Sequence, residues 1–397
     1  MNAEALKPPR LPFNPRLFRW AREWRGKTVA EASKRLNTAE QNIRDWEAGV
    51  KAPSVRQARM LAELYDRAFL EFFLDEPPPV RESVLVPDFR IHKGGSTPED
   101  ARELRAVQSW AEEQRLNALD LYEIIGDEPP LFPEELVASV AANPERLADL
   151  ARKASNFDVA KQLALSSQER SSLPKIIRKA VEGLGVIVLK NSALTRHNVR
   201  GMCVFGDPLP TIVFGTEAPA AQCFTIAHEL AHIILQQSAL SGPPSATGAA
   251  TPVEAVERWC DQFAGAFLIP GDVLSAQWAK PNRPQAGIGD ELLARLANAF
   301  GVSKHAMLIR LVHLHYVEAD FYWNVKRPEF LRIEQEFKGG GRAKYYGSRY
   351  RSDHGDLYTG LVLEAWGMGA ITNHSAGEFM GIKNLQHLED IREDFRS

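Results

Sequence analysis

The sequence predicts a mainly α-helical chain with a small β-sheet, an α+β architecture spread over several structural units. Apolar residues recur at helical spacing through most of the chain. Residues 171–190 indicate a helix, a turn and a strand, and residues 200–216 indicate two strands around a Gly-Asp-Pro turn. A chain of 397 residues is too long for one compact core, so two to four units are expected.

The remaining elements follow from helical periodicity and from turn-forming residues. Pro270 stops one helix, a break near Gly301 separates two others, and Ser303 is a suitable N-cap. The predicted helices cover residues 220–237, 253–268, 291–317 (two helices) and 356–369. The predicted loops cover residues 86–97, 238–252 and 338–355.

Composition excludes several classes of protein. The net charge is −3, so any DNA binding must come from a local basic surface. Three cysteines without a paired metal spacing favour a reducing compartment, and we expect a cytoplasmic location. The first residues lack a signal-peptide pattern, and no apolar run approaches the ~20 residues of a membrane span. No membrane partner is therefore expected.

One predicted helix carries an H-E-x-x-H motif, at His228, Glu229 and His232. Residues four apart share a helix face, so both imidazoles can reach one metal ion. Glu229 follows the first histidine directly, where its carboxylate can meet a water molecule on that ion. The alternative is a pair of surface histidines on an ordinary helix. Because the neighbours are apolar and a buried imidazole without a partner is costly, a shared cation is the better interpretation.

The following helix offers the third ligand that a catalytic zinc ion requires. Glu254, Glu257 and Asp261 are spaced by three and four residues and share one face. Any of these carboxylates would complete a His-His-carboxylate set. Cys260 lies off that face and is the weaker candidate.

Three segments together resemble the ImmA/IrrE metallopeptidases: residues 224–232 (FTIAHELAH), 257–264 (ERWCDQFA) and 268–270 (LIP). The resemblance covers residues 180–272. It implies a thermolysin-like, gluzincin-type fold with Zn²⁺ held by His228, His232 and Glu257. It also implies that Glu229 is the general base and that Asp261 orients a ligand histidine.

Two parts of the expected mechanism remain open in the sequence. An edge strand near residues 211–214 would hold an extended peptide by strand addition. The transition-state oxyanion needs a donor besides the metal, and the sequence does not choose among several candidates. These are His197, Arg200, His313, His315 and Tyr316.

Residues 16–73 resemble the Xre/Cro-type helix-turn-helix, with matches that include Ala32, Ile43, Trp46 and Gly49. Gly49 is expected to end the recognition helix in a left-handed turn. The predicted DNA contacts are Gln41, Asn42 and Arg44 on the recognition helix, with Arg25 and Lys27 among the arginines and lysines of a phosphate-facing surface that also includes Arg22.

Acidic residues complicate this interpretation. Glu40 and Asp45 occupy positions where base-reading side chains are expected, and carboxylates repel phosphates. A protein-docking or dimerisation role therefore stays open for this module. Residues 296–311 form a second helix-turn-helix-like pattern whose apolar character favours packing over DNA contact. The basic, aromatic segment 338–351 would bind nucleic acid or a partner, or is simply a flexible surface loop.

The predicted organisation has five parts: residues 1–75 (helix-turn-helix), 76–165 (helical linker), 166–285 (metallopeptidase core), 286–320 (helical subdomain) and 321–397 (C-terminal α/β region). By resemblance, the leading hypothesis is an endopeptidase that cleaves a helix-turn-helix repressor or antitoxin, coupled to an operator DNA through residues 16–73. The alternatives are the toxin of a toxin–antitoxin pair and a transcription regulator whose zinc site is structural or sensory. A homodimer is compatible with either.

Overall fold

A computed structural model describes residues 12–65, 67–77, 98–166, 168–197, 199–241, 252–278, 283–336, 345–382 and 384–396. The chain divides into two compact units, Met1–Leu85 and Val86–Ser397. Its elements are mostly helical, with one small four-stranded sheet, as predicted. Within the described ranges, no helix combines the length and apolar character that crossing a membrane requires.

The first unit is a small helical bundle. Its helices are α1 (Pro15–Trp24), α2 (Val29–Leu36), α3 (Glu40–Glu47) and α4 (Val55–Tyr65), followed by a 3₁₀ turn at Phe69–Phe73. Thr28 begins α2 with a capping box, in which its hydroxyl accepts from the Glu31 N–H and Glu31 accepts from the Thr28 N–H. Gly49 follows α3 with a φ of 74°, which confirms the left-handed turn.

The core of this unit contains Ile43 and Trp46 of α3, two of the residues that match the helix-turn-helix pattern. Arg22 links α1 to α3, because its Nε and Nη2 lie 2.6 and 2.9 Å from the two carboxylate oxygens of Glu47. Both side chains are largely buried. The assignment of Arg22 to a phosphate-facing surface is therefore wrong, since its charge is used inside the bundle.

The second unit is built around a sheet with the strand order β1 (Ile187–Lys190), β3 (Thr211–Phe214), β2 (Gly201–Val204), β4 (Ala239–Ser241). β3 runs parallel to β1 and antiparallel to β2, and β4 pairs antiparallel with β2. The predicted hairpin of residues 200–216 is confirmed. The prediction of an edge strand at 211–214 is wrong, because β3 has a partner on each side.

Helices surround this sheet along the rest of the second unit. Before and between the strands lie α5 (Pro98–Ile125), α6 (Pro144–Ala154), α7 (Val159–Ala164), α8 (Leu173–Glu182) and α9 (Ser192–Arg196). After β3 come α10 (Pro219–Ile234), α11 (Pro252–Leu268), α12 (Gly271–Gln277), α13 (Asp290–Phe300) and α14 (Lys304–His313). A π-helical segment at Phe321–Lys326 precedes α15 (Arg327–Glu336), α16 (Tyr346–Gly367), α17 (Asn373–Phe379) and α18 (Gln386–Arg396).

The sheet is a middle layer with a hydrophobic core on each face. Alternate residues of one strand point to opposite faces, so that Val188 of β1 joins one core while Ile187 joins the other. Helices α6, α8, α10, α11, α13 and α14 contribute to the first core. Helices α5, α16, α17 and α18 contribute to the second.

This layering corrects several sequence-based predictions. Residues 98–165 are not a linker, because α5 and α6 are built into the two cores. The described part of 321–397 is helical rather than α/β, and it covers one face of the sheet. Helix α14 packs its apolar residues into the core, as expected for the second helix-turn-helix-like pattern.

The structure describes only parts of the three predicted loops. Residues 86–97 lie outside the described ranges. The predicted loop 238–252 contains strand β4, and its residues 242–251 are likewise not described. The segment predicted as a loop at 338–355 is helical from Tyr346 onward. Its residues 338–344 are outside the described part of the chain.

The C-terminal end of α11 is held by three buried side chains. Arg152 donates to the carbonyl of Phe267, Gln162 to that of Leu268 and Arg310 to that of Ile269. The last carbonyls of a helix lack partners within the helix, and cations are favourable there. Arg310 is only 1% exposed, and its charge is met by the carboxylate of Glu145. These contacts fix the position of α11 against α6 and α14.

Helix α16 is kinked, and its second half packs against one face of the sheet. Gly355 has a φ of 84°, and a Cβ at this position would collide with the carboxylate of Glu182 and the guanidinium of Arg178. Glu182 in turn accepts from the N–H groups of Asp356 and Leu357, 3.1 and 3.3 Å away. Glu182, which forms a buried ion pair with Arg178 on α8, therefore accepts hydrogen bonds from the backbone N–H groups that follow the kink.

His354 at this kink predicts a loss of stability in acid. Burial lowers the pKa of His354 to about 4, because the charged form is poorly solvated there and Arg178 repels it. An unfolded histidine has a pKa of about 6.5. The folded state therefore gains stability that is complete above that pH and is lost as the pH falls toward 4. Linkage gives roughly 2 kcal/mol between pH 7 and pH 5.

Urea unfolding of the wild type and of His354→Gln at both pH values measures this difference. We expect the variant to lose about 2 kcal/mol less than the wild type on acidification. His374→Gln is the matched control, because the side chain of His374 is 80% exposed. An unchanged pH dependence in His354→Gln would contradict the prediction.

Candidate metal centre

Helix α10 carries three buried ionisable side chains in a largely apolar setting. His228, Glu229 and His232 are 5%, 0% and 0% exposed. Pro219 occupies the first turn of α10, where its missing N–H costs no hydrogen bond, and the apolar residues pack into the first core. One helical turn separates the two histidines, and their Nε2 atoms lie 3.2 Å apart. The motif thus presents two imidazole nitrogens to one point.

Helix α11 brings a carboxylate to the same point. The Glu257 carboxylate lies 3.5 Å from His228 Nε2 and 3.2 Å from His232 Nε2. One ligand atom from each residue falls within 4.8 Å of the other two. Among the described residues, this is the one group of three or more such side chains, and Glu254 is not part of it. Two imidazoles and a carboxylate are a donor set that catalytic zinc uses, so the residues fit that ion.

The outer nitrogens of the two histidines face α11. His228 Nδ1 lies 3.0 Å from Asp261 Oδ1, so the imidazole donates to this carboxylate. This contact is compatible with the role that the family resemblance implied for Asp261. His232 Nδ1 lies 3.6 Å from the sulfur of Cys260. With both Nδ1 atoms engaged in this way, both Nε2 atoms are directed to the Glu257 carboxylate.

The electrostatics of the cluster are those of a cation site. Burial lowers the pKa of His228, but Asp261 and Glu257 outweigh it and raise that pKa well above the ordinary value. Burial would raise the pKa of Glu257, but the two imidazoles hold it well below its usual range. Burial lowers the pKa of His232, and the charge on His228 adds to this against the effect of Glu257. Two carboxylates thus concentrate negative charge around the histidines.

The carboxylate of Glu229 lies against strand β2. A Cβ on Gly201 would lie 2.4 Å from Glu229 Oε1 and 2.7 Å from the Cγ2 of Thr225. Cys203, two residues along the strand, also interacts with the Glu229 carboxylate. Sequence reasoning missed the role of Gly201. The available signal was a glycine within a predicted strand, which often marks a close approach of another group.

The candidate oxyanion donors differ in their surroundings. Three have polar partners: His197 Nδ1 lies 2.6 Å from Asp100, Arg200 Nε lies 3.4 Å from Glu217, and the Tyr316 hydroxyl lies 2.6 Å from the Ser275 hydroxyl. The other two, His313 and His315, line a groove of about 590 Å³, together with residues that include Gln262, Glu318 and Asp320.

In the first unit, the predicted DNA contacts have intramolecular partners. On α3, Gln41 donates to Asp45 over 2.8 Å, and Arg44 pairs with Glu40 over 2.7 Å. Asn42 donates to the Thr38 hydroxyl. Lys27 pairs with Glu31, and Arg25 is half-buried. The acidic residues noted in the sequence are therefore the partners of the recognition helix's own polar side chains.

Comparison with protein-family models matches both units. Residues 188–312 match the peptidase M78 family, described as an IrrE N-terminal-like domain, and residues 18–72 match the helix-turn-helix family. The first match spans β1 to α14 and includes the candidate metal centre. Comparison with curated proteins and with solved structures gave no match. This chain thus carries an N-terminal helix-turn-helix domain of Xre type followed by an IrrE/ImmA-like peptidase-family domain.

Proposed function

We propose that this chain is a zinc-dependent endopeptidase that cleaves a specific regulatory protein and binds DNA through its N-terminal domain. One observation carries the proposal. His228, His232 and Glu257 converge within a peptidase-family domain, and a buried carboxylate, Glu229, lies beside them on the same helix. A structural zinc site is normally closed by four protein ligands, whereas a catalytic site has three and an open fourth position. Three ligands with a buried carboxylate beside them therefore favour a catalytic site.

In this proposal, His228, His232 and Glu257 hold the zinc ion, and Asp261 orients His228 through the 3.0 Å contact to its Nδ1. When bound, zinc supplies a Lewis acid that polarises the scissile carbonyl. Helices α10 and α11, which carry the three ligands, are both packed into the first core, and this packing fixes the positions of the ligands.

Glu229 is the general base and acid of the proposed reaction. Its carboxylate takes a proton from the attacking water and returns it to the leaving amine. The absence of a side chain at Gly201 makes room for that carboxylate, because a Cβ there would lie 2.4 Å from Glu229 Oε1. Strand β2 therefore lets the proton-transfer group pack against its backbone.

The substrate would bind as an extended segment along β4. A peptide cannot add to β3, which already pairs on both sides, whereas β4 lies at the end of the strand order. Ser241 of β4 pairs with Gly201, which is the residue that contacts Glu229. A peptide added to β4 would gain main-chain hydrogen bonds close to the proposed base.

The regulatory target is a helix-turn-helix repressor or antitoxin, by the family resemblance. The fused helix-turn-helix domain supports this assignment, because DNA binding would concentrate the peptidase where such proteins act. Arg44 of α3 is the best-placed base contact. Its exposed pair with Glu40 is no obstacle, since exposed ion pairs contribute only about 0–1 kcal/mol and can rearrange on DNA.

The metal assignment predicts about one zinc ion per purified chain. His228→Ala and Glu257→Ala should each lose most of it, because each removes one of three ligands. Glu254→Ala is the control, since Glu254 lies on the same helix but outside the ligand group. Elemental analysis of the four proteins measures the content. Full zinc content in both ligand variants would disprove the assignment.

The role of Glu229 predicts that Glu229→Gln retains zinc and loses cleavage. The amide has nearly the same shape but cannot accept the proton, and loss of such a group typically costs 10²–10⁴-fold in rate. Each form is incubated with an extract of the source cells, and mass spectrometry of the new protein termini then measures cleavage of whichever protein is the substrate. Termini that form equally fast with the variant would exclude Glu229 as the base.

The DNA-binding role predicts a mobility shift with the DNA upstream of the gene. Arg44→Ala should weaken binding about tenfold or more, because it removes a base contact. Lys161→Ala removes an equal charge from an exposed site in the second unit and should leave binding unchanged. If the wild type gives no shift, or if Arg44→Ala binds as tightly as the wild type, the recognition surface is misassigned.

A further inference from the structure

We propose that Cys260 is a positioning residue that orients His232 for the metal, as Asp261 orients His228. The inference rests on the proposed metal site. Its basis is the 3.6 Å contact between the Cys260 sulfur and Nδ1 of His232. The sequence alone left Cys260 as a weak candidate for direct ligation.

The orientation of the His232 ring decides between these two roles. Its Nε2 lies 3.2 Å from both the Glu257 carboxylate and His228 Nε2, so this nitrogen faces the ligand group. The sulfur of Cys260 lies against the opposite nitrogen of the same ring. A neutral imidazole that binds a metal through Nε2 carries its proton on Nδ1 and needs an acceptor there. The thiol sulfur is that acceptor.

The spacing along α11 makes this division of work possible. Glu257, Cys260 and Asp261 occupy positions i, i+3 and i+4. Cys260, which was expected to lie off the face of the two carboxylates, is therefore still close enough to reach a histidine of α10. A single turn of α11 therefore supplies one ligand and the outer partners of both histidines. Because all three residues lie on α11, a shift of this helix by one residue would disrupt their three contacts together.

The two outer partners differ in strength. Asp261 is a charged acceptor at 3.0 Å, whereas a thiol sulfur is a weak acceptor and lies 3.6 Å away. Cys260 is fully buried, with 0% exposure, so water does not replace it as a partner. Without the sulfur, the Nδ1–H of His232 loses its acceptor inside the core, where an unsatisfied donor is costly. The ring is then free to turn its Nε2 away from Glu257.

The test is zinc affinity, measured by competition with a chromogenic chelator on the full chain. Cys260→Ala should weaken zinc binding by about 10–100-fold, the usual effect of removing an outer partner of a ligand histidine. Cys260→Asp, which restores an acceptor, should recover part of that loss. Cys223→Ala is the matched control, because it removes another fully buried thiol from the same core. Thermal unfolding of each variant shows whether it folds.

Cobalt(II) substitution separates positioning from ligation. If Cys260 acts through His232, the cobalt-loaded wild type has no sulfur-to-cobalt charge-transfer band, and Cys260→Ala shifts only the ligand-field bands. A charge-transfer band that disappears in Cys260→Ala would make Cys260 a ligand and overturn the inference. Equal zinc affinity in folded Cys260→Ala and the wild type, or an equal loss in Cys223→Ala, would also overturn it. A wild type that binds neither metal would instead refute the proposed metal site itself.

Discussion

The second unit depends on the fixed contact between α10 and α11. Each helix alone presents polar side chains that would be costly to bury, and only their crossing lets His228, His232 and Glu257 satisfy one another. The crossing is secured at a distance from the site. Arg152 and Arg310 donate to the carbonyls of Phe267 and Ile269, so buried charges hold the C-terminal end of the helix that carries Glu257.

The sheet shapes the site from the other side. Its strands separate two cores, and one of these cores contains α10 and α11. β2 contributes the bare backbone of Gly201 against Glu229, while the neighbouring β4 is one of the two end strands in the described part of the sheet. The same small sheet therefore leaves room for the proposed base and, in the proposed function, offers an edge along which a peptide would lie.

The first unit shows how acidic residues can stand on a recognition helix. Glu47 forms an ion pair with Arg22 in the interior. Glu40 and Asp45 accept hydrogen bonds from polar side chains of the same helix. The carboxylates thus organise the surface that would meet DNA. Because the pairs on the surface are exposed, they cost little to break, whereas the buried pair of Arg22 and Glu47 is part of the fold.

The sequence by itself determined the local features: the helices, the hairpin, the capping residues, and the spacing that places His228 and His232 on one face of α10. These depend on interactions between residues a few positions apart, which periodicity and turn chemistry reveal. It did not decide among Glu254, Glu257 and Asp261 without the family resemblance. The tertiary structure decided that choice of neighbours, the central place of β3, the contact of Gly201 with Glu229 and the side of the ring that Cys260 meets. Those contacts join segments far apart in the chain, and their geometry exists only when the layers are packed.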